Sequence, residues 1–173
     1  MTNTIILENI KHIWNLKMGN NYFVHQLAKV HTQSIGNSTE IWQFTVVLEK
    51  AKIGSNCNIN CHCFIENDVV LGDNVTVKSG VYLWDGVRVG NNSFIGPNVT
   101  FINDKYPVSK QLPNYFLETI IEDNVSIGAG ATIMGGIKIG KGSIIGAASF
   151  LNRDVPPNTL WFGHPAKYIR DLD

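Results

Sequence analysis

The sequence predicts an all-β protein, a parallel β-helix built from six-residue units. Three observations lead there. A walk from Ile35 in steps of six lands on Ile41, Val47, Ile53, Ile59, Ile65, Leu71, Val77, Leu83, Val89, Ile95 and Phe101, all large and apolar. The step resumes at Ile121 and runs through Ile127, Ile133, Ile139, Ile145 and Leu151. Four residues after the landings stand mostly small or β-branched side chains: Cys57, Cys63, Val75, Val81, Val87, Val99, Val125 and Ala131. Directly after a landing comes, repeatedly, glycine, as at Gly36, Gly54, Gly72, Gly90, Gly96, Gly128, Gly140 and Gly146, often followed by Asn or Asp. Those residue types tolerate and favour turns.

A period of six fits neither an α-helix nor an alternating sheet of this length. It fits short strands joined by turns, three hexads closing one triangular coil. The landing residue points inward and stacks on its equivalents in the neighbouring coils. The position four later also points inward, where less room remains.

The chain has 173 residues, suited to one domain. Stacked coils let a chain of this size bury a continuous core. Lys+Arg and Asp+Glu each number 14, so the formal charge is zero and argues for neither nucleic acid nor a membrane surface. No apolar run is long enough to cross a bilayer. The amino terminus lacks a basic start followed by a long apolar core, so no signal peptide is expected and a cytoplasmic protein is.

Residues 1–22 precede the repeat. Ile6, Ile10, Ile13 and Trp14 are spaced like one face of a short helix, which Gly19-Asn20-Asn21 would stop. They are expected to cap the first coil. The β-helix itself is expected over 23–155, with His25 and His31 in an irregular first coil. The step breaks after Phe101, and residues 103–119, with Pro107, Pro113 and Tyr115-Phe116, should leave one corner as a loop. A loop this long in so regular a scaffold is functional or locks neighbouring subunits together. Pro156-Pro157 ends the repeat, and 156–173 forms a tail.

Cys57, Cys61, His62 and Cys63 invite a metal reading, but Cys57 and Cys63 fall at the small inward position, and the spacing is not that of a structural zinc site. No metal is expected.

Positions 18 apart should stack. Asp85 lies two after Leu83 and Asn103 two after Phe101, so they share a corner about 5 Å apart, the strand spacing. Asp104 follows where the loop departs. Trp84 and Ile102 stand just before them and are expected to point outward. Polar groups beside exposed apolar surface at a loop exit make a candidate site; the alternative is ordinary turn residues.

Leu71-Gly72-Asp73-Asn74-Val75 and its equivalents resemble the hexapeptide-repeat acyltransferases. The resemblance implies a left-handed β-helix, a homotrimer with sites between subunits, and acetyl-coenzyme A as co-substrate lying along the small-residue coils Gly128-Ala129-Gly130-Ala131 and Gly146-Ala147-Ala148. The tail segment Gly163-His164-Pro165-Ala166-Lys167 matches the Gly-x-Pro-Ala-Lys/Arg motif that ends many of these transferases. Candidate coenzyme contacts are Ala129, Ala147, Arg153, Pro165, Lys167 and Arg170, the basic ones suited to phosphate. Each can equally be ordinary surface.

Tyr82-Leu83-Trp84-Asp85-Gly86 and Phe94 through Pro107 resemble the subgroup that N-acetylates dTDP-linked 3-amino-3,6-dideoxyhexoses for bacterial surface polysaccharides such as lipopolysaccharide. Asp85, Asn103 and Asp104 fall at that subgroup's sugar-contacting positions and are the candidate catalytic residues. Tyr82, Trp84, Tyr106 and His62 are candidate substrate contacts. Ile102 departs from the Thr more usual before Asn-Asp. Related transferases use a histidine base, and His62 is the alternative for that role.

Three rivals stand beside this reading. One is a different acceptor, either a UDP-linked 3-amino sugar acid or a hydroxyl taking O-acetylation. Another is a γ-class carbonic anhydrase, which needs histidines gripping zinc; the five here have no suitable spacing. The last is a structural β-helix without a ligand.

Overall fold

The computed structural model describes residues 21–111 and 113–173. The helix expected across Ile6 to Trp14 lies outside the described residues. Every named element is a strand, and most are two residues long.

The strands stack into three sheets of nine, seven and five members, parallel throughout except at the carboxyl end. Up to the carboxyl-terminal hairpin, consecutive strands fall in different sheets, as a triangular coil requires. Within a sheet the usual partner is 18 residues away, as in Asn58↔Thr76, Phe64↔Tyr82 and Arg88↔Val70. The coils therefore form the β-helix that the period of six predicts, consistent with the left-handed winding. The first coil pairs Phe23 with Glu40 and Lys29 with Val46, one residue short of the period.

Ile41, Ile59, Ile65, Leu83, Ile95, Ile127, Ile133 and Ile145 are fully buried, as are their equivalents along the stack. Burying such a side chain contributes about 1.5–3 kcal/mol, so the column is the main source of stability. Cys57, Cys63, Val75, Val81, Val99, Val125 and Ala131 fill the narrower inward position. At that position some coils carry a hydroxyl instead. Thr39, Thr45, Ser93 and Ser143 each donate to a backbone carbonyl three residues short of the equivalent position in the next coil: Gly54, Asn60, Glu122 and Pro156, at 2.7, 2.8, 3.0 and 2.7 Å. A buried hydroxyl is tolerated because that bond is made.

The corners are fastened by side chains. At one of them Asp73 accepts the Ser55 N–H, Asn91 the Asp73 N–H, and Asp123 the Asn91 N–H, at 2.7, 2.8 and 2.7 Å. Asn56, Asn74, Asn92 and Asn124 take positive φ beside them, a conformation asparagine tolerates.

Two irregularities shape the molecule. Val87 pairs with Thr119 and Val89 with Ile121, so the segment between Phe101 and Thr119 is an insertion that leaves the stack and returns to it. At the far end, Thr159–Gly163 pairs parallel to Ile144–Ile145, and Ala166–Asp171 turns back antiparallel as a hairpin. The tail thus extends the nine-stranded sheet. No helix among the described residues is long and apolar enough to cross a membrane.

Candidate active site

Most of the sequence-predicted site residues surround the seven-stranded sheet. Its outward column runs Val46, Phe64, Tyr82, Thr100, Thr132, Phe150. One corner line precedes this sheet and another follows it.

The preceding corner holds Phe44, His62, Gly80, Asn98, Gly130 and Ala148, all with positive φ. Backbone bonds tie the line together: His62 N–H to Gln43, Asn98 N–H to Ser79, Gly130 N–H to Pro97, Ala148 N–H to Ala129. Asparagine and glycine are the usual occupants of such a conformation, and a bulky ring there is an outlier. Phe44 and His62 nevertheless stack with ring centroids 5.0 Å apart. Trp84 meets Phe64 at 5.8 Å and Tyr82 at 5.9 Å. Phe44, Val46, His62, Cys63, Phe64, Tyr82 and Trp84 line an open groove of about 420 Å³. Thus Tyr82, Trp84 and His62, singled out separately in the sequence, share one aromatic groove. Trp84, expected to point outward, is half-buried, packed against the core and meeting the rings of Phe64 and Tyr82. Phe44 and Phe64 escaped the sequence reading, although each lies 18 residues before a selected one.

Further along the same corner, Ala129 and Ala147 are exposed. A Cβ on Gly128 would come within 2.4 Å of the Ala147 nitrogen, so the coils are in direct contact there. Ile145 pairs with Trp161, which carries the line on to Gly163, and Gly163 N–H donates to Ser149 Oγ at 3.1 Å. The exposed turn with Pro165 therefore caps this corner, and Lys167 lies opposite Phe162 beside it. Arg170 is farther off, opposite Leu160, and donates to the Asp171 carbonyl.

The following corner carries Asp85, Asn103, Gly135 and Arg153, as Phe101↔Ile133↔Leu151 stacking dictates. Arg153 thus stands on the Asp85 line, not alongside Ala129 and Ala147; three strand spacings put it roughly 15 Å from Asp85. Asp85 Oδ1 accepts the Asp68 N–H at 2.6 Å, and the Asp85 N–H donates to Glu66 Oε2 at 2.7 Å. Half of the Asp85 carboxylate therefore fastens a turn, as Asp73 and Asp123 do elsewhere. Desolvation, together with the nearby Asp85 charge, holds the Glu66 carboxyl above the usual glutamate range, partly offset by the Asp85 N–H bond. Asn103 is half-buried against the Gly135 backbone, where a Cβ would meet Ile102 O at 2.4 Å and Asn103 Cα at 3.2 Å. Asp104 Oδ1 accepts the Tyr106 N–H at 2.9 Å, and Tyr106 is 87 % exposed on the loop.

The loop returns onto the same turn. Gly86 has φ +93°, and a Cβ there would lie 2.8 Å from the Leu117 carbonyl oxygen, so this position needs glycine twice over. Thr119 N–H donates to Gly86 O at 2.9 Å.

The cysteines are packing residues here. Burial pushes the Cys63 thiol up to about 11 and raises Cys57 as well. Cys61 is half-buried, its sulfur 3.2 Å from Ser79 Oγ. Among the described residues no three His, Cys, Asp or Glu side chains gather to hold a metal ion.

A family described as "Bacterial transferase hexapeptide (six repeats)" matches residues 68–103 and 118–153, and one described as "Hexapeptide repeat of succinyl-transferase" matches 50–84. Together they take in more than half the chain, which belongs to the hexapeptide-repeat transferases. It is 57% identical over 37 residues to a dTDP-3-amino-3,6-dideoxy-alpha-D-galactopyranose 3-N-acetyltransferase of Aneurinibacillus thermoaerophilus, a match covering 21% of this chain and 19% of that protein. The curated relatives are matched over about a fifth of their length. A perosamine N-acetyltransferase of Caulobacter crescentus, solved with CoA and GDP-perosamine, is 25% identical with a TM-score of 0.54, over 86% of this chain and 56% of that one. An N-acyltransferase of Bacillus cereus, 22% identical with a TM-score of 0.59 over 96% and 89% of the two chains, shares the fold.

Proposed function

We propose that this protein is an acetyl-coenzyme A-dependent N-acetyltransferase acting on the 3-amino group of a dTDP-linked 3-amino-3,6-dideoxyhexose. The observation that carries the reading is the Asp85–Asn103 corner, with Asp104 at the loop exit and an aromatic groove alongside. The short, strong match to a 3-N-acetyltransferase of that sugar class supports the acceptor. The Caulobacter enzyme solved with CoA supports acyl transfer to a sugar amine on such a scaffold.

The bare corner at Ala129 and Ala147, capped by the Pro165 turn and flanked by Lys167, fits a thin coenzyme arm with a phosphate near its end. Bound there, acetyl-coenzyme A supplies the acetyl group as a thioester, and its sulfur leaves with the proton that the amine loses. The protein's own work is positioning. The second oxygen of Asp85 and the carboxylate of Asp104 hold the amino and neighbouring hydroxyl groups in line, and Asn103 supplies an amide to the same end. An amine with a pKa near ~8 is partly neutral at pH 7, so a strong base is dispensable. Positioning of this kind lowers a barrier by several kcal/mol. Phe44, Phe64, Tyr82 and Trp84 offer rings for the flat nucleotide portion. Three copies, with sites between them and located in the cytoplasm, would complete the enzyme and serve surface-polysaccharide synthesis.

The test is thiol release from acetyl-coenzyme A against a panel of acceptors: dTDP-3-amino-3,6-dideoxyhexoses, a UDP-linked 3-amino sugar acid and a hydroxyl acceptor. Release with the first class, lost in Asp85→Asn and Asn103→Ala, is the expected result. Release with another class would move the acceptor. Release that survives both substitutions would move the centre, with His62 the next candidate. Sedimentation of the purified protein tests the trimer.

A further inference from the structure

We propose that Arg88 is a positioning residue for the reaction proposed above, on which this inference rests: its guanidinium ties the returning foot of the 103–119 loop to the turn that carries Asp85. Arg88 lies on the five-stranded sheet between Val70 and Ile120. One terminal nitrogen contacts both carboxylate oxygens of Asp68, at 2.8 and 2.9 Å, and the other donates to the Asp68 carbonyl. Its Nε meets Glu118 Oε1 at 3.0 Å. Glu118 is the last loop residue before the strand Thr119–Ile121.

Asp68 is in turn bound to the candidate centre. Its N–H donates to Asp85 Oδ1 at 2.6 Å, and its carbonyl accepts the Gly86 N–H at 3.0 Å. One side chain thus grips the loop at Glu118 and, through Asp68, the Asp85–Gly86 turn. Asn103 and Asp104 stand at the loop's other foot, so its seating also bears on them. Three nitrogens in one planar fork are needed for this, which arginine has and lysine lacks.

Stability alone would not explain the arrangement. Arg88 is 27% exposed, and its partners Asp68 and Glu118 are 62% and 53% exposed. Ion pairs so open to water contribute little to folding. Holding a loop to within an ångström, by contrast, can change turnover many-fold.

The experiment compares wild type with Arg88→Gln, Arg88→Lys and Glu118→Gln in three readouts: melting temperature, the rate of tryptic cleavage after the exposed Lys105 and Lys110, and kcat and KM for thiol release. Arg88→Gln is expected to melt like the wild type, to be cleaved in the loop about tenfold faster, and to lose about tenfold in kcat with KM for acetyl-coenzyme A unchanged. Arg88→Lys should recover part of both losses, and Glu118→Gln should reproduce the loop effect with a smaller loss of kcat. Unchanged cleavage and kcat in Arg88→Gln, or losses that track its melting temperature, would overturn the proposal. If the wild type transfers acetyl to no acceptor, the proposed function fails by itself, and the cleavage comparison still decides whether Arg88 holds the loop.

Discussion

Glu66 accepts the backbone N–H of Asp85 at 2.7 Å, which places two carboxylates, nineteen residues apart in the chain, on one side of a single turn. The pair has a consequence for pH. Glu66 titrates above its ordinary value of 4.5, first through desolvation and then through the Asp85 charge. A carboxyl whose folded pKa is raised favours the folded state fully only below its unfolded pKa, and that contribution is lost as pH rises through the raised value. Between those two values wild type should lose stability that Glu66→Gln retains, since glutamine still accepts the Asp85 N–H. Melting curves of both proteins on either side of that window check this; parallel pH dependence would dismiss the coupling.

Asp85 should separate into two roles. Asp85→Asn keeps an oxygen for the Asp68 N–H, so the fold holds while the charge is lost. A fall in kcat of about a hundredfold with an unchanged melting temperature is expected. Asp85→Ala also removes the bond and should cost about 1 kcal/mol of stability. Paired kinetics and melts distinguish the two.

Tyr82 is half-exposed in the groove, where its ring meets Trp84 edge-on. Tyr82→Ala should fold normally and raise KM for the nucleotide-sugar by about tenfold, the scale of one base–aromatic stacking contact. KM for acetyl-coenzyme A should not move.

The three thiols should label in a fixed order. Cys57 and Cys63 are buried with raised pKa, the latter to about 11, whereas Cys61 is only half-buried. Thiolate is the reactive form. Iodoacetamide at pH 8 should therefore modify Cys61 first, read by peptide mass, with the other two reacting only on unfolding.

Ile133 is completely buried between Phe101 and Leu151. Ile133→Ala should destabilise by about 2–5 kcal/mol, measured by urea unfolding, because the stacked coils cannot collapse into the space.

The candidate site was partly legible. Asp85 over Asn103 followed from an 18-residue offset, and the same offset leads from Tyr82 to Phe64 and from His62 to Phe44. Arg88 and Glu118 were not legible, because their contact crosses the insertion. Across the insertion the offset between stacked positions becomes 32, as in Asn91 and Asp123, and although the step resumes at Ile121 the sequence does not say which side chain reaches the returning segment. The Glu66–Asp85 bond was hidden for another reason: it joins a side chain to a backbone N–H, and a sequence pattern carries no direction for either.

By itself the sequence determined the coil, the inward columns and the place where the loop leaves. Each of these depends on one period, and in a stack of identical coils distance along the chain converts directly into position in space. Only the tertiary structure decided that Ala129 and Ala147 share a corner with His62 while Arg153 joins Asp85 and Asn103. It alone showed that the tail folds into a hairpin completing the nine-stranded sheet, and that Arg88 holds the loop's return. These depend on which strand a returning segment pairs with and which way a side chain reaches, and both are settled by contacts between segments that have no common period.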